Sequence, residues 1–491
     1  MQAESPSVPS GRAEGAASAA GEPLVVDMDG TLTRVDTLYE LFAAALFKRP
    51  LAAIASLRVL FTGGIAPFKR AVGELGEIDV ETLPLREDLV AHLVAEKANG
   101  RSLHLATAAD RAIAEGVAAR VGVFDSVQAS DGARNLKGPR KAERLAELFP
   151  DGFAYAGDHT ADLPVWRAAK AAIVVASNGL ERQVAQTTPV ERIFPGRGGD
   201  WRAWAKAARP HQWAKNLLVW APIALGWPQL TGAGLAQALA ATALLCLLAS
   251  LTYVINDVAD VGADRRHPTK RARPFASGAL PVRDGLVVGG LGIPLALAAG
   301  WAISPAVAAC LAAYTITTLA YSIGLKRAPL LDVFLIGVLF SLRVALGVAA
   351  AGLEWSAWLM TFSIFFFFSL ALAKRHTELV RAVAAGMSEI PGRGYRPHDK
   401  DITLVFGVSS MMAAVVLVVL YLVEEVFPLG AYAEPRWLWG APAVMFLWAS
   451  RIWLLANRGE MNDDPVVFAL KDRVSLSLGG LLLATFLLAL V

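Results

Sequence analysis

Asn256, Asp257, Asp260 and Asp264 crowd together straight after the apolar run LLCLLASLTYVI. A helix would stack the three aspartates, spaced three, four and seven apart, on one face. Like charges so placed repel by roughly 0.2–0.5 kcal/mol per pair in water. Beside lipid the repulsion grows unless a cation lies among them. Oxygen-only ligands suit Mg²⁺, which commonly bridges carboxylates and substrate phosphates. The next stretch, HPTKRARPFASG (267–278), supplies Lys270 and Arg273. Acids for a metal and bases for phosphate thus share one loop, and the pattern reads as a diphosphate site. Basic runs beside membranes also meet anionic lipid.

A second constellation begins at PLVVDMDGTLT (23–33), a short β-branched strand followed by Asp27, Asp29, Gly30 and Thr31. A strand end opening into a glycine-containing turn is where α/β folds carry chemistry. Three later pieces join it: SLHLATAAD (102–110), an apolar strand with Thr107; NLKGPRK (135–141), with Lys137 before a helix; and FAYAGDHTADLPVW (153–166), a strand followed by Asp158 and Asp162. His104 and His159 read as structural or rim residues.

The elements behind these residues fall into two halves. The 491 residues are 55% hydrophobic, with a mean hydropathy of +0.46, too apolar for an ordinary soluble protein. Residues 1–210 mix charged and apolar groups, whereas 211–491 is a succession of long apolar runs. The two cysteines, Cys246 and Cys310, lie in such runs and suggest neither a disulfide scaffold nor a thiolate metal site. Residues 1–20 lack an apolar segment and read as a disordered tail, not a signal peptide. An α/β domain is expected over 21–195, a Gly-containing linker over 196–208 and a membrane domain over 209–491.

In chain order the four N-terminal pieces resemble the haloacid dehalogenase (HAD) phosphatases. The resemblance implies a Rossmann-type sheet with a helical cap at about 38–90. It makes Asp27 the nucleophile that forms an aspartyl-phosphate and Asp29 the general acid/base. Thr107 and Lys137 would hold the phosphoryl group, and Asp27, Asp158 and Asp162 would make the Mg²⁺ site. Such chemistry needs a carboxylate nucleophile, a proton-shuttling carboxyl and cations against phosphate charge. The cap stretch is interrupted by Lys48, Arg49, Pro50 and Arg58, so it reads as cap or interfacial helices, not as a span of roughly 20 residues.

Nine spans are expected in the membrane half, near 211–229, 235–255, 285–303, 305–323, 330–351, 357–373, 402–423, 437–456 and 474–491, in an all-α transmembrane bundle. Lys and Arg concentrate in the loops after even spans. The positive-inside rule then puts the N-terminal domain and these loops in the cytoplasm, with the chain multi-pass in the plasma membrane.

The NDxxDxxxD pattern and the basic loops resemble the UbiA superfamily of intramembrane prenyltransferases. RPHQWAKN (209–216), YSIGLKRAPLLD (321–332), LALAKRHTEL (370–379) and DPVVFALKDRVSL (464–476) are most similar to its decaprenyl-phosphate phosphoribosyltransferase branch. That branch implies transfer of phosphoribose from phosphoribosyl pyrophosphate (PRPP) to polyprenyl phosphate, as for a cell-wall arabinan precursor. Asp257, Asp260 and Asp264, with Asn256, would hold Mg²⁺ on the donor. Lys215, Lys270, Arg273, Lys326 and Arg343 would neutralise phosphates, and Tyr321 and Asp332 would position the sugar or the metal. A second Asp-rich motif is absent, since Asp332 is followed by Ile336.

The leading expectation is a bifunctional enzyme whose phosphatase-like domain removes the 5-phosphate of the lipid-linked product. The alternative is a UbiA-type aromatic polyprenyltransferase of quinone biosynthesis. Polyprenyl phosphate, a diphosphate donor and the bilayer are the expected partners, with no nucleic acid. Monomer, dimer and trimer are all left open.

Overall fold

The computed structural model describes residues 21–130, 136–176, 179–196, 200–387, 394–428, 430, 432–461 and 465–490. The expected tail at 1–20 and residues 197–199 of the expected linker lie outside them. The chain divides into two compact units. One takes the described residues up to Ala207 together with Asp257–Val287; the other is Ala208–Asn256 with Val288–Val491.

The first unit is built on six parallel strands: β1 (Leu24–Val26), β2 (Leu103–Asp110), β3 (Ser126–Ser130), β4 (Ala154–Gly157), β5 (Ala171–Ala176) and β6 (Val190–Pro195). Their order is β3-β2-β1-β4-β5-β6, the doubly wound arrangement expected of a HAD-like domain. Val25 of β1 sits opposite His104 on one side and Tyr155 on the other. All three β1 residues are fully buried, because a parallel sheet is covered on both faces. Leu24 and Val26 join the core on one face, Val25 with Tyr155 and Trp166 the core on the other. The strand order reverses between β1 and β4, and the crevice beyond the strand ends at such a point is where α/β sheets bind ligands.

Between β1 and β2 the expected cap contains three helices, Thr37–Lys48, Pro50–Gly63 and Ile65–Leu75. They meet around Leu41, Phe68 and Val72. The same unit holds the segment after the second expected span. Arg265, on a short helix at Val261–Arg266, donates to both carboxylate oxygens of Glu40, at 2.8 and 2.7 Å. Arg266 pairs with Asp79 at 2.7 Å.

Among the described residues, eight helices are long and apolar enough to cross a membrane: Gly232–Ala259, Val282–Ile303, Pro305–Ile323, Leu331–Ala351, Ala357–Ala384, Pro397–Val426, Pro435–Asn457 and Arg473–Leu490. The first of the nine expected spans is not one continuous helix. Residues 210–229 form a 3₁₀ segment at Pro210–Val219, a helix of six residues at Trp220–Leu225 and a 3₁₀ turn at Trp227–Gln229. Pro210, Pro222 and Pro228 each remove a backbone donor there, which shortens the helical stretch. Gly347 lets Leu331–Ala351 press against this segment, since a methyl group there would overlap the Val219 carbonyl.

Candidate functional site

In the first unit, Asp27 follows β1 and its Oδ1 accepts from the Met28 backbone N–H and from Lys141 Nζ, both at 2.9 Å. Lys141 also donates to Tyr155 Oη at 3.0 Å, and that hydroxyl donates to Asp162 Oδ1 at 3.1 Å. Tyr155 on β4 therefore ties the cation to a second acid. Asp158 accepts from the Thr31 hydroxyl at 3.2 Å. Gly30 turns the chain at φ 81°, and a side chain there would run into the Asp158 carboxylate. Its lack of a Cβ is what lets Asp158 approach the Asp27 turn.

Oxygens of Asp27, Asp158 and Asp162 lie within 4.8 Å of one another, and Asp162 Oδ2 is buried without a hydrogen-bond partner. Three carboxylates, one with a buried unpartnered oxygen, fit a hard divalent cation. Burial, opposed by Lys141, raises the Asp27 pKa to about 6. Burial and then the charge of Asp36 push Asp29 up to about 8, against stabilising bonds from Thr37. Thr37 gives Asp29 its backbone N–H at 3.0 Å and its hydroxyl at 3.2 Å.

A pocket of about 410 Å³ opens over these groups. Asp27, Asp29, Thr107, Lys137, Asp158 and Asp162 all line it, so the six residues expected from the N-terminal motifs come together. Thr107 is buried on β2, its hydroxyl accepting from Ala109 N–H at 3.0 Å. Sequence reasoning missed Lys141, which carries the ion pair with Asp27. Its signal was faint: it lies four residues past Lys137, in the first turn of Pro139–Leu148.

The acids of the later loop meet a different cation. The helix Gly232–Ala259 ends just before Asp260, which caps Val261–Arg266, so the three aspartates do not share one continuous helix. Arg273 Nη1 reaches Asp257 Oδ1 at 3.2 Å and Asp264 Oδ2 at 2.7 Å. Burial raises the Asp264 pKa, partly offset by that guanidinium. Lys270 lies on the 3₁₀ turn Lys270–Ala272.

In the second unit a cavity of about 280 Å³ gathers Lys215, Asn256, Tyr321 and Arg343 from the expected set, with Lys374 and Arg375 added. Arg343 is buried within Leu331–Ala351. Its Nε donates to Asn216 Oδ1 at 3.0 Å, and its guanidinium carbon lies 5.0 Å from the Tyr314 ring centre. Asp332 is fully buried and pairs with Arg375 Nη2 at 3.1 Å while accepting from Tyr395 Oη at 2.7 Å. It lies outside the cavity lining, and so does Lys326 on the turn Leu325–Arg327.

An uncharacterized protein of Sinorhizobium fredii, y4nM, is 39% identical over 476 residues, covering 95% of this chain and 91% of its own. Decaprenyl-phosphate phosphoribosyltransferase of Mycolicibacterium smegmatis is 37% identical over 190 residues, 37% of this chain and 58% of that protein. A solved UbiA homolog from Archaeoglobus fulgidus, bound to GPP and Mg²⁺, covers 58% of this chain and 99% of its own at 16% identity and a TM-score of 0.44. The model of the UbiA prenyltransferase family matches residues 217–472, over half of the chain, and the protein belongs to that family.

Proposed function

We propose that this UbiA-family chain joins a polyprenyl phosphate to the phosphoribosyl group of PRPP or a similar diphosphate donor, and that its HAD-like unit hydrolyses a phosphomonoester such as the 5-phosphate of the product. The observation that carries the first half is the helical cavity: Lys215, Arg343, Lys374 and Arg375 line about 280 Å³ together with Asn256 and Tyr321. Four cations around one cavity suit a polyanionic donor better than a neutral aromatic ring, since they offset phosphate charge. The similarity to decaprenyl-phosphate phosphoribosyltransferase supports the choice of donor and acceptor.

In the transfer, a phosphate oxygen of the lipid bonds to C1 of the ribose while the C1–O bond to pyrophosphate breaks. Pyrophosphate leaves with the bonding electrons, and the cavity's cations offset its charge. In the hydrolysis, the Asp27 carboxylate attacks phosphorus and the ester oxygen leaves, taking the proton of Asp29. Water then gives a proton to Asp29 and attacks the aspartyl-phosphate, which releases inorganic phosphate and restores Asp27. Lys141 offsets charge at Asp27 throughout. Asp27, Asp158 and Asp162 would hold Mg²⁺, which supplies positive charge against phosphate oxygens. Asp257, Asp260 and Asp264 would hold Mg²⁺ on the donor by their residue types; among the described residues their oxygens do not cluster as those of Asp27, Asp158 and Asp162 do, and Arg273 bridges Asp257 and Asp264. The N-terminal unit is assigned to the cytoplasmic side by the loop charges.

The test uses membranes containing the full chain, Mg²⁺, a polyprenyl phosphate and ribose-labelled PRPP. Label should enter the organic-extractable fraction and disappear with Asp257→Ala. An Asp27→Asn variant should leave one more phosphate on the lipid product. No label transfer, with turnover of a polyprenyl diphosphate and an aromatic acid instead, would move the protein to the quinone branch.

A further inference from the structure

The pocket over Asp27 is far larger than a phosphoryl group needs. Its volume of about 410 Å³ lies in the range of roughly 300–1,000 Å³ that takes whole small molecules. Beside the groups expected to do the chemistry, its lining includes the cations Lys69 and Arg283 and the acids Asp36 and Asp284. Lys69 stands on the cap helix Ile65–Leu75 and donates to the Ala108 carbonyl at 2.9 Å, one residue past Thr107. This single bond takes one of the three donors of an ammonium group. Arg283 comes from the loop that follows the second apolar helix, and its guanidinium carbon lies 5.8 Å from the Tyr39 ring centre. It occupies the first turn of the helix Val282–Ile303, where the helix dipole disfavours a cation. Helix stability therefore does not account for an arginine at this position. Asp284, beside it, pairs only loosely at 3.6 Å.

We infer that the phosphatase pocket selects a phosphomonoester carrying a second phosphate in the same molecule, which Lys69 and Arg283 bind while the first phosphate lies at Asp27. The inference deepens the phosphatase reading above and rests on it for the position of the scissile group. It makes Arg283 a specificity residue delivered to the phosphatase by the segment 257–287. Two sources share this chemistry: a soluble sugar bisphosphate, and a polyprenyl-phosphoryl sugar whose diester phosphate is the second anion.

The test measures binding and turnover separately, on the purified full chain in detergent. Calorimetry on Asp27→Asn compares ribose 5-phosphate, ribose 1,5-bisphosphate and a short-chain prenyl-phosphoryl ribose 5-phosphate. Phosphate release is followed with the wild-type chain on the same three compounds. At least one doubly phosphorylated compound should bind, and be turned over at a kcat/KM, about tenfold better than ribose 5-phosphate, as expected for one charge-assisted contact. Arg283→Gln and Lys69→Gln should each erase that preference through KM. Whichever doubly phosphorylated compound keeps the larger preference identifies the source. Equal affinity for all three, or an equal loss on mono- and bisphosphate in Arg283→Gln, would overturn the inference while leaving the phosphatase reading intact. Preferential binding without any phosphate release would do the reverse.

Discussion

The ion pair between Glu40 and Arg265 offers the sharpest perturbation of the first unit. Both side chains are only 5% exposed. Arg265 donates to both oxygens of Glu40 and, through Nε, to the Ala276 carbonyl at 3.0 Å. It thus closes the segment 265–276 on itself and ties it to the helix Thr37–Lys48. Replacing Glu40 by leucine leaves a buried guanidinium that cannot shed its proton. Removing one partner of a buried pair costs about 3–5 kcal/mol. Arginine must then swing toward water and give up the Ala276 bond. The backbone N–H groups of Ser277 and Gly278, bonded to Arg273 and Phe275 carbonyls at 2.9 and 3.2 Å, report that opening. At about 1.4 kcal/mol per factor of ten, a loss of about 3 kcal/mol raises their hydrogen exchange on the order of a hundredfold. In the double variant Glu40→Leu with Arg265→Met both charges are gone, and apolar replacement of a buried pair is often neutral, so exchange should return most of the way. Exchange by mass spectrometry on the full chain decides it. A single variant within threefold of wild type, or a double variant as fast as the single, refutes the clamp.

Lys141→Met should cut phosphate release by about a hundredfold, the usual cost of losing one positioned stabilising donor, with far-UV circular dichroism unchanged. Mg²⁺ should raise the unfolding temperature of the wild-type chain, and Gly30→Ala should abolish that rise, because the added methyl displaces Asp158; a full Mg²⁺ response in the variant would remove Gly30 from the site. Arg343→Met should lower transfer of labelled phosphoribose by about a hundredfold or more, leaving Asn216 without its guanidinium partner. Phosphate release from a soluble phosphomonoester should be untouched in the same variant, which separates loss of the cavity from general damage.

Much of the fold was legible because its signals are local and repeated. A β-branched run ending in DMDGT announces a buried strand and the turn after it, and the six residues taken from the four N-terminal motifs do meet around one pocket. Long apolar runs likewise announce helices able to cross a bilayer, eight of which are described. The first expected span is broken into short helical pieces because hydropathy sums over a window while three prolines act one bond at a time. Windowed apolarity cannot see where the hydrogen-bond ladder stops.

Partner choice was the part that stayed hidden. Spacing made Asp257, Asp260 and Asp264 a set awaiting a cation, because like charges repel at that distance, but spacing does not say which cation. In the fold the guanidinium of Arg273 reaches two of them, nine residues beyond Asp264 across a turn no periodicity describes. Lys137 and Lys141 pose the same problem at shorter range. Both lie in one basic segment and both line the pocket, but only a helix starting at Pro139 rotates Lys141 inward, where it is 3% exposed and bonded to Asp27. Arg283 is the extreme case, since no motif joins residue 283 to residue 27. A cation's role is set by the acids it faces after folding, and the sequence orders acids and bases along the chain without saying which loops close over which.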